Sequence, residues 1–166
     1  MIRLELDDRQ LKRALDRLSA RLANMRPVMH RIAQTMDEGV RTHFTDERGP
    51  DGQKWAPLAD STLLAHMRRA SRGGILTRRG NTRAKAVKAL AQKKILRDSG
   101  ALGHELVKEV TSLSAMLGSN KVYAATHQFG DAKRNIPARP FMGFSRAMVA
   151  HIRATATDYI AESLPR

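Results

Sequence analysis

The sequence predicts an α+β protein, with N-terminal helices packed on a small antiparallel sheet, a C-terminal helix, and an extended basic arm or loop. Three observations carry this. Leu11, Leu15, Leu18 and Leu22 fall at spacings of four, three and four, which places them on one helical face. Val28, Ile32, Met36, Val40 and Phe44 repeat every four residues and continue a second helix to about Phe44. Residues 105–110 and 113–117 then read as a pair of short strands. Segregated helices with few strands indicate α+β.

In chain order, Ile2, Leu4 and Leu6 alternate with Met1, Arg3 and Glu5, the period of a short strand. Asp7 or Asp8 is placed to cap the first helix, because a carboxylate accepts from the orphan amides there. Asn24 and Pro27 separate the two helices, since proline is tolerated in a first turn. Residues 45–52 are turn chemistry throughout. Ser61 or Thr62 offers a cap for a short helix. Residues 84–96 contain good helix formers between glycine-rich punctuation. Gly118-Ser119-Asn120 reads as a turn, and residues 122–129 as a short helix ending at Gly130. Pro137 and Pro140 keep the next stretch extended. Ser145 caps a last helix whose face is Met148, Val149, Ile152, Ala156, Tyr159, Ile160 and Leu164.

A chain of 166 residues suits one domain over 1–166, with a basic arm or long loop at about 65–97. Aromatic residues are only 4% of the total, so Trp55, Phe44, Phe129, Phe141, Phe144, Tyr123 and Tyr159 must carry much of the specific packing. There is no cysteine, which excludes disulfides, thiolate nucleophiles and cysteine-bound metal clusters. The start is charged and lacks the apolar core of a signal peptide. No stretch approaches the ~20 apolar residues of a membrane span, so a soluble protein made in the cytoplasm is expected.

The net charge of +14 favours anionic partners, either nucleic acid or an acidic protein surface. It is unevenly distributed. From Arg68 to Arg97 there are eleven Lys or Arg and no acid, including Arg68, Arg69, Arg72, Arg78, Arg79, Arg83, Lys85 and Lys88. Three readings of this segment stand: a solvated arm, an arm that orders on an acidic neighbour, or a face for DNA phosphates, which needs Lys and Arg alone.

Catalytic and metal chemistry finds no support. His30, His43, His66, His104, His127 and His151 form no compact ligand pattern. Asp46, Glu47 and Asp51 lack the register of a calcium loop. Gly73-Gly74 and the Gly118 turn lack a phosphate-binding pattern, and Ser61, Ser99 and Ser119 lack a nucleophile elbow. No cofactor, metal ligand or catalytic residue is assigned; His127 with Asp131, as a hydrolase pair, is the rival reading.

The clearest local text is Gly118-Ser119-Asn120, Tyr123-Ala124, His127-Gln128-Phe129-Gly130 and Ile136-Pro137-Ala138-Arg139-Pro140-Phe141-Met142-Gly143. It is preceded in order by Phe44, Pro50, Gly52, Trp55, Pro57, Leu58 and Thr62, then Ile95-Leu96, Ser99-Gly100 and Leu102. Over about residues 28–164 this resembles the phage virion morphogenesis, or tail completion, family of Mu-like and related tailed phages. The resemblance implies a non-enzymatic virion protein of the neck or tail terminus, a tail terminator that helps join tail to head. It implies a ring of identical subunits with six-fold symmetry, contacting the tail tube protein and a head-side connector or stopper. Genomic DNA in the channel is a further candidate partner; a membrane is not. The basic stretch from Arg68 to about Lys94 is longer and more charged than the pattern, so no family role is carried onto it. The rival function is a phage DNA-binding protein using that stretch on the nucleic-acid backbone.

Tyr123, His127, Phe129, Arg139 and Phe141 are the candidates for subunit contact. His127 follows Tyr123 by four residues on one face, and Arg139 offers a planar five-donor group. The same group would equally fix a loop against the core. Trp55, Phe44, Leu58 and Ile152 are candidates for the core itself. Replacing Trp55 by alanine is expected to cost about 3–5 kcal/mol of stability. An unchanged melting temperature would place Trp55 outside the core.

Overall fold

The structure is a computed structural model that describes residues 8–71 and 74–162. The strand expected at the N-terminus, Arg72 and Leu164 lie outside the described residues. Seven α-helices and a two-stranded antiparallel sheet are present among the rest. The described chain forms two compact units. One takes residues up to Gly39, Leu106–Gly118 and the chain from Phe144. The other takes Val40–Glu105 and Ser119–Gly143.

In the first unit, α1 (Arg9–Ala23) packs with the C-terminal helix α7 (Arg146–Ala161). Asp8 occupies the N-cap position of α1 but makes no side-chain cap bond; its backbone carbonyl accepts from Lys12 instead. The leucine stripe of α1 does not build the core of the subunit. Leu11, Leu15 and Leu22 are exposed, and Ala14 is the buried residue of α1; the contacts with α7 include those of Arg21 with Tyr159. The Arg21 guanidinium lies 4.9 Å from the Tyr159 ring centre. It also donates to the Tyr159 carbonyl at 2.5 Å and to Glu162 at 2.8 Å, while the Tyr159 hydroxyl donates to the Asn24 carbonyl. Ser145 caps α7 by accepting from the Met148 amide. Met148 is buried against Gly39, where an added Cβ would collide with its Cε. Only the missing side chain at Gly39 admits the methionine there. Ile152 is half-buried.

The helix α2 spans Arg26–Asp46, with Pro27 in its first turn. Its residues up to Gly39 belong to the first unit, where Val28, Ala33 and Asp37 are buried. The strands β1 (Leu106–Val110) and β2 (Ala115–Ser119) form the hairpin, so Gly118 and Ser119 continue a strand where a turn was expected. Ladder bonds tolerate glycine in so short a strand. Lys108 on β1 reaches Asp37 on α2 at 3.1 Å, tying helix to sheet.

The second unit is organised around Phe44, near the end of α2. Trp55 meets its ring edge-on at 5.5 Å, and Phe141 lies at 5.4 Å. All three are buried, and edge-to-face geometry suits the ring quadrupoles. Trp55 also donates its indole N–H to the Pro140 carbonyl at 2.8 Å. Leu58 is half-buried. Gly103, in the one-turn helix α5 (Ala101–His104), comes close enough to Phe44 that a Cβ would sit 3.3 Å from its ring.

Within the basic stretch at about 65–97, the described residues include two helices joined by a loop. Helix α3 (Asp60–Ala70) packs along α4 (Ala84–Gln92). Asp60 occupies the first turn of α3, where neither Ser61 nor Thr62 caps; an acid there complements the helix dipole. Between the helices, Leu76 bridges Thr82, and the amide of Arg83 donates to the Ile75 carbonyl. The expectation of an arm rested on the lack of large apolar residues. The core of the hairpin is instead small, with Met67, Ser71 and Ala86 buried. Alanine lets the helix backbones approach closely, at good helix propensity.

Asp98 closes the base of this hairpin. One carboxylate oxygen takes Lys93 at 2.9 Å and the other takes Arg69 at 3.0 Å. These bonds, from Lys93 first and then Arg69, lower the Asp98 pKa from 3.8 to about 2. The folded value lies below the unfolded one, so the clamp's contribution is complete above about pH 4 and is lost as pH falls through 2. A carboxyl-carbon NMR titration should find the Asp98 midpoint near 2; an ordinary midpoint near 3.8 would mean that the clamp does not form in solution.

Candidate assembly surface

Helix α6 (Ala124–Phe129) begins after Tyr123 and ends at Gly130, slightly shorter than the stretch expected from the sequence. Gly130 has φ +78°, and a Cβ there would lie 2.8 Å from the Ala138 amide and 2.9 Å from the Ile136 carbonyl. Glycine is required on both counts. The chain then passes a 3-10 turn at Ala132–Arg134. Paired bonds between Asp131 and Ile136 bring it back alongside.

The returning segment is held from three sides. The amide of Arg139 donates to the His127 carbonyl at 2.7 Å. The Arg139 guanidinium donates to the carbonyls of Ala56 at 2.8 Å and Pro57 at 2.6 Å. Gln128 accepts from the amides of Phe141 and Met142, both at 3.0 Å, and donates to the Met142 carbonyl at 2.9 Å. His43 donates from Nδ1 to the Phe141 carbonyl at 2.9 Å.

This geometry corrects two expected contact residues. Phe141 is 1% exposed and Arg139 5%, so both are committed inside the subunit. Arg139 bridges backbone carbonyls, and Phe141 fills the space beside Phe44. Gln128, which sequence reasoning missed, holds more of the segment than any other side chain. It stood in the sequence only as part of the family-like text around residues 127–130, with no contact assigned to it.

Tyr123, His127 and Phe129 remain at or near the surface. Tyr123 and His127 stack edge-to-face at 5.9 Å and line a cleft of about 430 Å³. Its other walls include Leu58, Leu96, Leu102 and Arg97. Burial, then the charges of Arg139 and Arg134, lower the His127 pKa, which favours the neutral ring. Phe129 follows His127 by two residues, roughly 200° around the helix, and is 78% exposed. Val122, also missed in the sequence, is 97% exposed. The helix thus lines a cleft with one side and projects an aromatic ring from the other.

No hydrogen bond or ion pair joins His127 to Asp131 among the described residues. Asp131 accepts from the Arg134 amide at 3.1 Å and from its side chain at 2.7 Å, and Arg134 in turn reaches Thr126. Among the described residues no cluster of three His, Asp or Glu could hold a metal ion, and no helix is long and apolar enough to cross a membrane.

A model of the phage virion morphogenesis family matches residues 6–88 and 80–161. The chain is 28% identical over 165 residues to the Mu-like prophage FluMu G protein 2 of Haemophilus influenzae, covering 96% of each chain. It is 23% identical over 143 residues to the FluMu G protein 1 of the same organism, covering 86% of this chain and 84% of the relative. No solved structure matches significantly. The segment held by Gln128 and Arg139 falls within the second matched stretch, and with nearly the whole chain covered, the protein belongs to the phage virion morphogenesis family and has a virion, tail-related role.

Proposed function

We propose that the protein is a structural subunit of the phage neck or tail terminus, completing the tail and helping to join it to the head through a ring of identical subunits. The ring would have six members, as the family resemblance implies. Its neighbours would be the tail tube protein and a head-side connector or stopper, in a particle assembled in the host cytoplasm. The work is geometric and involves no covalent chemistry.

The observation that carries this reading is the exposure of Phe129, at the end of a helix held by the hydrogen bonds of Gln128 and His127, and of Val122 in the turn before that helix. Large apolar side chains standing free on a well-braced element favour an unfilled protein contact. Tyr123 and His127 line a cleft on one side of α6, while Phe129 projects from the other. A head-to-tail contact uses two different surfaces of one subunit and closes into a ring when the rotation permits. Arg139 and Phe141 serve this contact from within, by fixing the position of α6. Burying a phenylalanine contributes on the order of 1.5–3 kcal/mol, and a ring multiplies that contribution by its number of joints.

The non-enzymatic reading is supported by the commitments of the polar groups near α6. Asp131 is occupied by Arg134, and His127 has no hydrogen-bonding partner at its buried Nδ1. A group poised for proton transfer would need a reachable partner.

Replacing Phe129 by aspartate is expected to leave the thermal melt of the subunit unchanged while abolishing rings in sedimentation and electron microscopy. Particles made with this variant should accumulate as separate heads and tails. Rings that persist in both Phe129→Asp and Tyr123→Ala proteins would refute α6 as the contact. Absence of the protein from the neck in labelled particles would refute the location.

A further inference from the structure

We propose that the α3–α4 hairpin is a contact surface for the sugar–phosphate backbone of double-stranded DNA, without sequence discrimination. The ring reading supplies only the setting, a channel crossed by the genome; the contact itself is argued from the hairpin.

Among the described residues, most cations of this hairpin make no ion pair. Of the cations from Arg68 to Arg97, Arg69 and Lys93 are paired, both with Asp98. Arg68, Arg78, Arg79, Lys85, Lys88 and Lys94 are exposed, and none has a carboxylate partner among the described residues. A solvated arm would leave such charges on a wandering chain. Here the tip is a bonded turn, in which the Thr77 amide donates to the Asn81 carbonyl and the Gly80 amide to the Thr77 carbonyl. Arg83 bonds back to the Leu76 carbonyl at 3.0 Å. Arg78 and Arg79 ride on that turn, and a prearranged set of cations loses less entropy on binding.

The choice of DNA over an acidic protein follows from how α4 distributes its side chains. Ala86 is buried against α3. Lys85 and Lys88, three apart, share one flank. Val87 and Leu90 are the exposed apolar residues, and they fall on the opposite flank. The cationic flank therefore offers charge without apolar contact. Protein interfaces are depleted of lysine at their centres and need apolar area there, whereas phosphate contacts need only donors and positive charge. A second copy of this chain is no better a partner for the flank, because each copy carries +14 and a ring of them adds repulsion that a polyanion removes.

The test is binding of fluorescent random-sequence duplexes, roughly 30 base pairs long to span about three helical turns, to the purified full-length protein. Anisotropy is followed across a salt titration. If about four of these cations reach phosphates, the slope of log K against log salt is about −3.6, a roughly 150-fold loss from about 50 to 200 mM. The double variants Arg78→Ala/Arg79→Ala and Lys85→Ala/Lys88→Ala should each weaken binding at least about tenfold and flatten the slope by about 0.9 for every phosphate no longer neutralised. The control variant Arg146→Ala/Arg153→Ala removes the same charge from α7 and should change affinity less than about twofold. An equal weakening in the control would reduce the effect to net charge and overturn the proposal. So would polyglutamate competing as well as duplex at matched charge, or a clear preference for one sequence. The Phe129→Asp protein, once its thermal melt shows it folded, separates the two readings. Duplex affinity kept by that protein without rings supports the hairpin independently of the ring. Affinity abolished in it, with the fold intact, overturns the hairpin as a binding surface in its own right.

Discussion

The second unit depends on one short extended stretch, Ala138 to Met142, being held in a single position. Pro140 offers its carbonyl to Trp55, Arg139 spans to Ala56 and Pro57, and Gln128 takes three backbone groups around Phe141. These bonds satisfy backbone groups in a partly buried setting, where a group left unpaired is destabilising. The stretch carries Phe141 of the cluster with Phe44 and Trp55, and its Pro140 carbonyl accepts from the Trp55 indole. Apolar packing and polar satisfaction are here two aspects of one arrangement.

Arg139 shows how a charge can be accommodated for this purpose. Burial of its guanidinium lowers its pKa, but arginine starts so high that it stays protonated. Its donors point at two successive carbonyls, which a lysine's single ammonium could not span in the same plane. The positive charge of Arg139 also adds to burial in depressing the His127 pKa, so the same side chain that fixes the segment helps keep the neighbouring ring neutral.

Much of this was legible in the sequence, and the exceptions have physical reasons. The fourfold repeat through Val28, Val40 and Phe44 located α2 because helical periodicity survives in a long element. Gly130 was identifiable because a glycine ending a helix before a proline-bounded stretch has few other uses. The strands were found within about two residues, where ladder ends are set by tertiary contacts. The partners of Arg139 and Gln128 were not legible, because they are backbone carbonyls and amides that every residue offers. Nor did the leucines of α1 reveal their exposure; an amphipathic face looks the same whether its partner is in the same chain or another.

The basic hairpin exposes the limit of reading charge as disorder. A run of cations with few large apolar residues normally cannot offset the entropy of folding. Three local features alter that outcome here. Alanines on α4 allow close helix contact, the Leu76 and Thr82 bridge closes the tip, and Asp98 pairs with both Arg69 and Lys93. The acid comes one residue after the basic run ends, so charge that looked uncompensated along the sequence is partly compensated in space. Among the described residues, the cations left without a carboxylate partner include the pair at the tip, Arg78 and Arg79, and the pair on one flank of α4, Lys85 and Lys88. A structured protein keeps such concentrated self-repulsion at a cost in stability, and the cost is easiest to understand when the charges meet an opposite field in the assembled particle.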